Sequence, residues 1–238
     1  MSDFDTVLAS TRTTLERIAA DFSPAVFASS LAAEDMVLTD LILRTKLPIT
    51  IFTLETGRLH KETLSMLDRI REQYGYNIAQ HKPDPAAVEA YVAAHGLNAF
   101  YDSVEMRKEC CRIRKVDPLN RALAGNAAWI TGQRRAQSTT RVELAVQEDD
   151  PAHGMQKFNP LADWSEEDIW NYIRSNGVPY NPLHDKGYPS IGCEPCTRAI
   201  QPGEDIRAGR WWWEQPESKE CGLHVVDGKL VRIKSVQA

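Results

Sequence analysis

Five cysteines carry most of the chemistry this 238-residue chain can offer. Two are adjacent, Cys110-Cys111. Two are spaced as Cys-x-x-Cys in Gly192-Cys193-Glu194-Pro195-Cys196-Thr197, and Cys221 stands apart in Glu220-Cys221-Gly222-Leu223-His224. Four clustered thiols plus one is the arrangement expected of a four-thiolate metal site beside a separate reactive thiol. Cys-x-x-Cys serves zinc sites, redox motifs and iron–sulfur clusters alike. Here its loop is rich in proline and has no strand–helix–strand redox context, which favours ligation over dithiol chemistry. Adjacent cysteines strain a disulfide and sit awkwardly on one zinc, whereas a multi-iron cluster gives each sulfur its own metal atom. Soft thiolates suit both metals. The pair therefore favours a [4Fe–4S] cluster, with zinc and unligated buried thiols as the alternatives.

Arg112, Arg114 and Lys115 follow the pair directly. They read either as a solvated helix face or as positive charge set beside thiolates and an anionic ligand, and the second reading is favoured at Lys115. Ser29-Ser30 runs into Glu34-Asp35 at a strand-to-helix junction, where backbone N–H groups could meet a phosphate or sulfate. The junction is not glycine-rich, so a plain helix cap reads equally well. His224 could orient a thiol, although a lone histidine more often packs or lies at the surface. Trp211-Trp212-Trp213 point in different directions on any regular backbone, which favours packing over a stacking platform.

These residues need elements to position them. Apolar spacing predicts helices over 5–22, 33–45, 59–74, 85–95 and 111–123, the last kinked or restarted at Pro118. Ser165 with Asp168 forms a capping-box pattern opening a helix over 166–175. Strands are expected at 24–28, 48–54, 76–80 and 127–132, with loops around 102–107 and across 178–196. The alternation predicts an α/β fold with a parallel sheet and helices on both faces. The expected organisation is one domain over 1–215 and a tail over 216–238 carrying Cys221. Hydrophobic residues make up 42% of the chain, enough to bury a core. The acidic N-terminus lacks a secretory pattern and no apolar run reaches membrane-helix length, so a soluble, cytoplasmic protein is expected. The net charge of −5 argues against non-specific nucleic-acid binding.

Five motifs in order resemble the assimilatory adenylyl-sulfate (APS) reductases of the phosphoadenylyl-sulfate (PAPS) reductase family: Cys110 to Leu119, Thr131-Gly132-Gln133-Arg134-Arg135, Gly192 to Thr197, Gly209-Arg210-Trp211-Trp212-Trp213-Glu214 and Glu220 to His224. The resemblance implies an adenine-nucleotide α-hydrolase-like fold, a [4Fe–4S] cluster on Cys110, Cys111, Cys193 and Cys196, and reduction of adenosine 5′-phosphosulfate to sulfite and AMP. It implies Cys221 as the nucleophile, passing through an S-sulfonate that thioredoxin resolves, with His224 and Lys115 beside the chemistry. It also implies nucleotide contacts at Ser29, Ser30, Glu34, Asp35, Phe52, Leu54 and Gly132, a phosphosulfate clamp of Arg141, Arg207 and Arg210, and a homo-oligomer. Relatives often carry Asp where this chain has Glu55. Within the same family, a reductase accepting both APS and PAPS is the alternative. Two other classes compete: an ATP-dependent adenylating enzyme, whose Ser-Gly-Gly-x-Asp-Ser loop is not matched by Ser29-Ser30-Leu31-Ala32-Ala33, and a zinc-stabilised non-catalytic nucleotide-binding module.

Overall fold

The computed structural model describes residues 3–137 and 143–215. Its centre is a six-stranded sheet in the order β3-β2-β1-β4-β6-β5. The strands are β1 (Ala25–Ala28), β2 (Ile49–Leu54), β3 (Ala79–His81), β4 (Ala128–Ile130), β5 (Gln147–Asp150) and β6 (Met155–Phe158). All neighbouring strands run parallel except β5, which pairs antiparallel with β6 through Gln147↔Phe158 and Asp150↔Met155. The helices are α1 (Asp3–Asp21), α2 (Ala33–Arg44), α3 (Lys61–Tyr74), α4 (Pro85–His95), α5 (Val104–Cys111), α6 (Asp117–Leu123) and α7 (Glu166–Asn176).

Alternation along the strands divides the core between two faces. Phe27, Ile51 and Ile130 pack with Leu15 and Ile18 of α1, most of α2, Met66 and Ile70 of α3, and Ile169 and Ile173 of α7. Their sequence neighbours Val26, Phe52 and Trp129 pack with Leu119 and Leu123 of α6 on the other face. A side-chain period of two on β-branched and aromatic residues makes such a double-sided sheet. From β1 the chain progresses to β2 and β3 on one side and to β4 and β6 on the other, so the order reverses between β1 and β4. In open α/β sheets the crevice outside the carboxyl ends at that reversal is the usual ligand site.

Three expectations change. The segment read as a loop at 102–107 opens α5 at Val104, because Ser103 accepts from the Met106 N–H as its N-cap. The helix expected over 111–123 is instead the end of α5, a π turn over Arg112–Val116, and α6 with Pro118 in its first turn. The third strand is the short β3, displaced towards His81, and the β5–β6 hairpin had no counterpart in the sequence reading. The Ser165–Asp168 capping box is present, each side chain bonded to the other's backbone N–H. Among the described residues no helix is long and apolar enough to cross a membrane.

Candidate active site

A cavity of about 640 Å³ opens at the carboxyl ends of β1, β2 and β4. One wall is the β1–α2 junction. Asp35, in the first turn of α2, turns back so that its Oδ2 accepts from the Ser30 N–H at 2.6 Å and from the Ser30 hydroxyl. Its carboxylate also accepts from the Gly132 N–H at the end of β4. A Cβ at residue 132 would collide with Asp35 Oδ1, so this close approach needs glycine. Burial pushes the Asp35 pKa up to about 6, although its Ser30 hydrogen bonds pull the other way. The carboxylate thus ties together two loops that the sequence analysis assigned separately to the nucleotide.

The adjacent Glu34 does something else. Its Oε1 accepts from Arg134 Nη2 at 2.7 Å and from Gln137 Nε2 at 2.9 Å, while Arg134 Nη1 donates to the Trp164 carbonyl. Arg134 is 4% exposed. Burial alone would raise the Glu34 pKa, but the guanidinium overrides it and holds the carboxyl below its ordinary range, so the pair is ionised. Arg134 was not singled out from the sequence, since its partner lies a hundred positions away. Nor was His184, whose Nε2 accepts from the Ala33 N–H at 3.1 Å and so caps α2 from outside the helix. Burial keeps that imidazole's pKa low despite nearby Glu34, which leaves Nε2 unprotonated as an acceptor.

Phe52 and Leu54 line the cavity from β2, and Lys115, Arg207 and Arg210 line it from the opposite side, next to Gly192 and Cys193. Arg210 is 8% exposed and its Nε–H has no hydrogen-bond partner. Its guanidinium lies so flat against Gly192 that a Cβ there would fall 2.6 Å from Cζ. A buried guanidinium with an unsatisfied donor in a cavity wall is prepared for an anion. Of the expected site residues, Ser29, Ser30, Glu34, Asp35, Phe52, Leu54, Gly132, Lys115, Arg207 and Arg210 all line this cavity. Arg141, Cys221 and His224 lie outside the described residues.

Cys110, Cys111, Cys193 and Cys196 meet in a second, small cavity, together with Arg58, Arg107, Arg114 and Lys115. The π turn lets Arg114 and Lys115 face the same space as the two cysteines before them, while Arg112 stays exposed and pairs with Glu109 and Asp117. The strap Thr56–Leu59 holds the opposite side. Thr56 Oγ1 lies 3.3 Å from Cys193 Sγ, Arg114 Nη1 donates to the Thr56 carbonyl at 2.7 Å, and the Glu194 N–H donates to the Arg58 carbonyl at 2.7 Å. Burial raises the Cys110 thiol, and it pushes Cys196 up to about 12 with help from Cys193; Lys115 opposes both shifts. Trp211 is fully buried between the guanidinium groups of Arg107 and Arg210, each 4.7 Å from its ring, and packs with Cys193 and Cys196. Its indole N–H has no acceptor. Trp213 packs against Tyr101, and none of the three tryptophans lines the large cavity.

This donor set suits a sulfur-rich cluster. Four thiols face one space ringed by cations, and Trp211, whose buried N–H has no acceptor, packs against two of them. Among the described residues, however, no three His, Cys, Asp or Glu side chains converge closely enough to hold a single metal ion.

The model of the phosphoadenosine phosphosulfate reductase domain matches residues 24–199. This chain belongs to that family. Within the family it is 67% identical over 199 residues to the adenosine 5′-phosphosulfate reductase of Burkholderia cepacia, covering 84% of this chain and 80% of that one. It is 59% identical over 210 residues to the enzyme of the same name from Allochromatium vinosum, covering 88% and 82%. Among solved structures, the PAPS reductase of Candida auris in a phosphate complex aligns with a TM-score of 0.69 at 26% identity, across 84% of this chain and 98% of that one. The FMN adenylyltransferase of Candida glabrata, with a TM-score of 0.56 at 15% identity over 92% and 75% of the two chains, shares the fold alone. The family and the α/β architecture read from the sequence are both borne out.

Proposed function

We propose that this protein reduces adenosine 5′-phosphosulfate to sulfite and AMP in sulfate assimilation. The observation that carries the reading is the shared wall. Lys115 and Cys193 line both cavities, so a cationic, nucleotide-sized pocket abuts a four-thiol site without a gap. Adenine lies against Phe52–Leu54, the ribose at Ser30 and Gly132, and the phosphosulfate at Lys115, Arg207 and Arg210, with Arg141 joining from outside the described residues. Forked guanidinium donors match tetrahedral oxyanions.

In the reaction, the Cys221 thiolate attacks the sulfur of the phosphosulfate. The S–O bond to phosphate breaks, AMP leaves with that electron pair, and a Cys221 S-sulfonate remains. A thioredoxin thiolate then attacks Cys221 Sγ, sulfite departs, and the mixed disulfide is resolved by thioredoxin's second thiol, which oxidises the dithiol by two electrons. The tail beyond Gln215 carries Cys221, and His224 orients its thiol or the leaving phosphate. Cys110, Cys111, Cys193 and Cys196 would hold a [4Fe–4S] cluster, which when bound supplies a fixed charge and a brace for the proline-rich loop. Lys115, between the thiols and the anion, places its charge on the phosphosulfate.

The test uses anaerobically purified protein and measures thioredoxin-dependent sulfite release from APS, with iron content and the visible spectrum. Brown, iron-containing protein that turns over APS supports the reading. So does a Cys221→Ser variant that binds AMP but releases no sulfite. Colourless, zinc-containing protein that is inactive with APS would replace it with the binding module.

A further inference from the structure

The buried pair Glu34–Arg134 bears on which nucleotide the cavity accepts. Among the described residues, four cationic side chains line the cavity. Lys115 belongs to the wall shared with Cys193, Arg210 lies against the adjoining Gly192, and Arg207 stands three residues before Arg210, on the side where the proposed reaction places the sulfur. The fourth, Arg134, stands on the opposite side, two residues after Gly132 and against the first turn of α2. There its charge is cancelled by Glu34 at 2.7 Å. Asp35 adds a second carboxylate at the same end, bonded across to Ser30 and Gly132. This end of the cavity therefore presents acceptors and a neutralised cation.

We infer that Glu34, by holding Arg134 in a buried ion pair, is a specificity-determining residue that excludes nucleotides bearing a second phosphate on the ribose. The inference rests on the proposed placement of the ribose at Ser30 and Gly132. A ribose hydroxyl can donate to a carboxylate. A 3′-phosphate brings only acceptors and about two negative charges, and it meets Asp35 and an arginine already satisfied. Discrimination between two ligands often comes from such an unfavourable element against the wrong one. Glu34 has the right chemistry for the task because its replacement by Gln keeps an acceptor for the guanidinium and removes only the charge. The buried Arg134 would then lack a counter-ion, and an added phosphate would supply it.

The experiment measures dissociation constants of AMP and adenosine 3′,5′-bisphosphate by calorimetry on the wild-type protein and on Glu34→Gln, Glu34→Asp and the double variant Glu34→Gln/Arg134→Gln. Wild type should prefer AMP by at least roughly ten-fold, the scale of one modest electrostatic term. Glu34→Gln should reduce or invert that ratio mainly through tighter bisphosphate binding, and the bisphosphate should raise its Tm more than AMP does. Glu34→Asp should keep the wild-type preference, and the double variant should lose the gain. An unchanged ratio in a folded Glu34→Gln, or a gain that survives in the double variant, would overturn the assignment. Should Glu34→Gln not fold, the salt dependence of the wild-type ratio decides: electrostatic exclusion shrinks as salt rises, and a salt-independent ratio rejects it. Failure of wild type to bind either nucleotide would instead remove the proposed function itself, and this inference with it.

Discussion

A Cβ at Gly192 would stand 2.6 Å from Cζ of Arg210, closer than real contacts allow, so Gly192→Ala must push the guanidinium off its seat. The backbone there needs no left-handed conformation, and the methyl group's effect is one of space. We expect KM for the phosphosulfate substrate to rise roughly ten-fold, which corresponds to losing one charge-assisted contact, with Tm little changed. An unaltered KM would mean that Arg210 does not meet the anion. Asp35 gives a second test at this scale. Its pKa, raised by burial to about 6 from the ordinary Asp value of about 4, means the folded state holds that proton more tightly than the unfolded one. The stability it contributes is fully present below about pH 4 and is lost as pH rises through about 6, by about 3 kcal/mol. Asp35→Asn cannot titrate, so in the absence of nucleotide its stability relative to wild type should improve by a comparable amount from pH 4 to 7. Denaturant titrations across that range check it, and a pH-independent difference would refute it.

At the scale of elements, α5 does more than carry two cysteines. Its Arg107 is 1% exposed and forms a bidentate pair with Glu214, at 2.9 Å and 2.8 Å, while covering the ring of Trp211. Burying both charges gains little against an apolar pair of the same size, but stranding one of them is expensive. Arg107→Ala should lower unfolding stability by about 3–5 kcal/mol, the range for a broken buried pair. An apolar double replacement, Arg107→Met with Glu214→Leu, should recover most of that loss. Chemical denaturation of the three proteins decides the matter, and a double variant no better than the single would show that the cation–π contact, not the ion pair, carries the energy. The same helix explains a gap in the sequence reading. Apart from Cys111, the residue α5 buries is an arginine, so the segment has no apolar stripe to announce it. The edge strand β5 is hidden for a related reason: Gln147-Glu148-Asp149-Asp150 has no alternation, and its conformation comes from pairing with β6.

Over the whole molecule, what could be read in advance was whatever depends on local pattern. The buried strands β1, β2 and β4 announced themselves through β-branched and aromatic runs, and α2, α4 and α7 through spacing and caps. The thiol site was legible because cysteine is rare and its spacing is informative. The Glu34–Arg134 pair, the His184 cap on α2 and the Thr56 hydroxyl at Cys193 were not, because each joins residues far apart in sequence whose types are ordinary at a surface. Glu34 and Asp35 were assigned together to the substrate, yet the fold separates them: one neutralises an arginine and the other ties two loops. Such contacts exist only once the sheet has brought the ends of β1 and β4 side by side.

The Arg107–Glu214 pair also fixes one end of a leash. The chain is fastened at Glu214, and Cys221 follows the last described residue, Gln215, by six positions. At full extension six residues span about 20 Å, which bounds how far Cys221 can lie from Gln215. In the proposed reaction, a thiol delivered on such a tether has a local concentration that falls as the tether lengthens. Lengthening the tether three-fold, with a twelve-residue Gly/Ser insert after Gln215, should dilute the thiol and slow S-sulfonate formation by roughly five-fold, while AMP affinity stays as it was. Single-turnover AMP release measures this directly, and an insert that leaves the rate untouched would mean that the arm is held by contacts of its own.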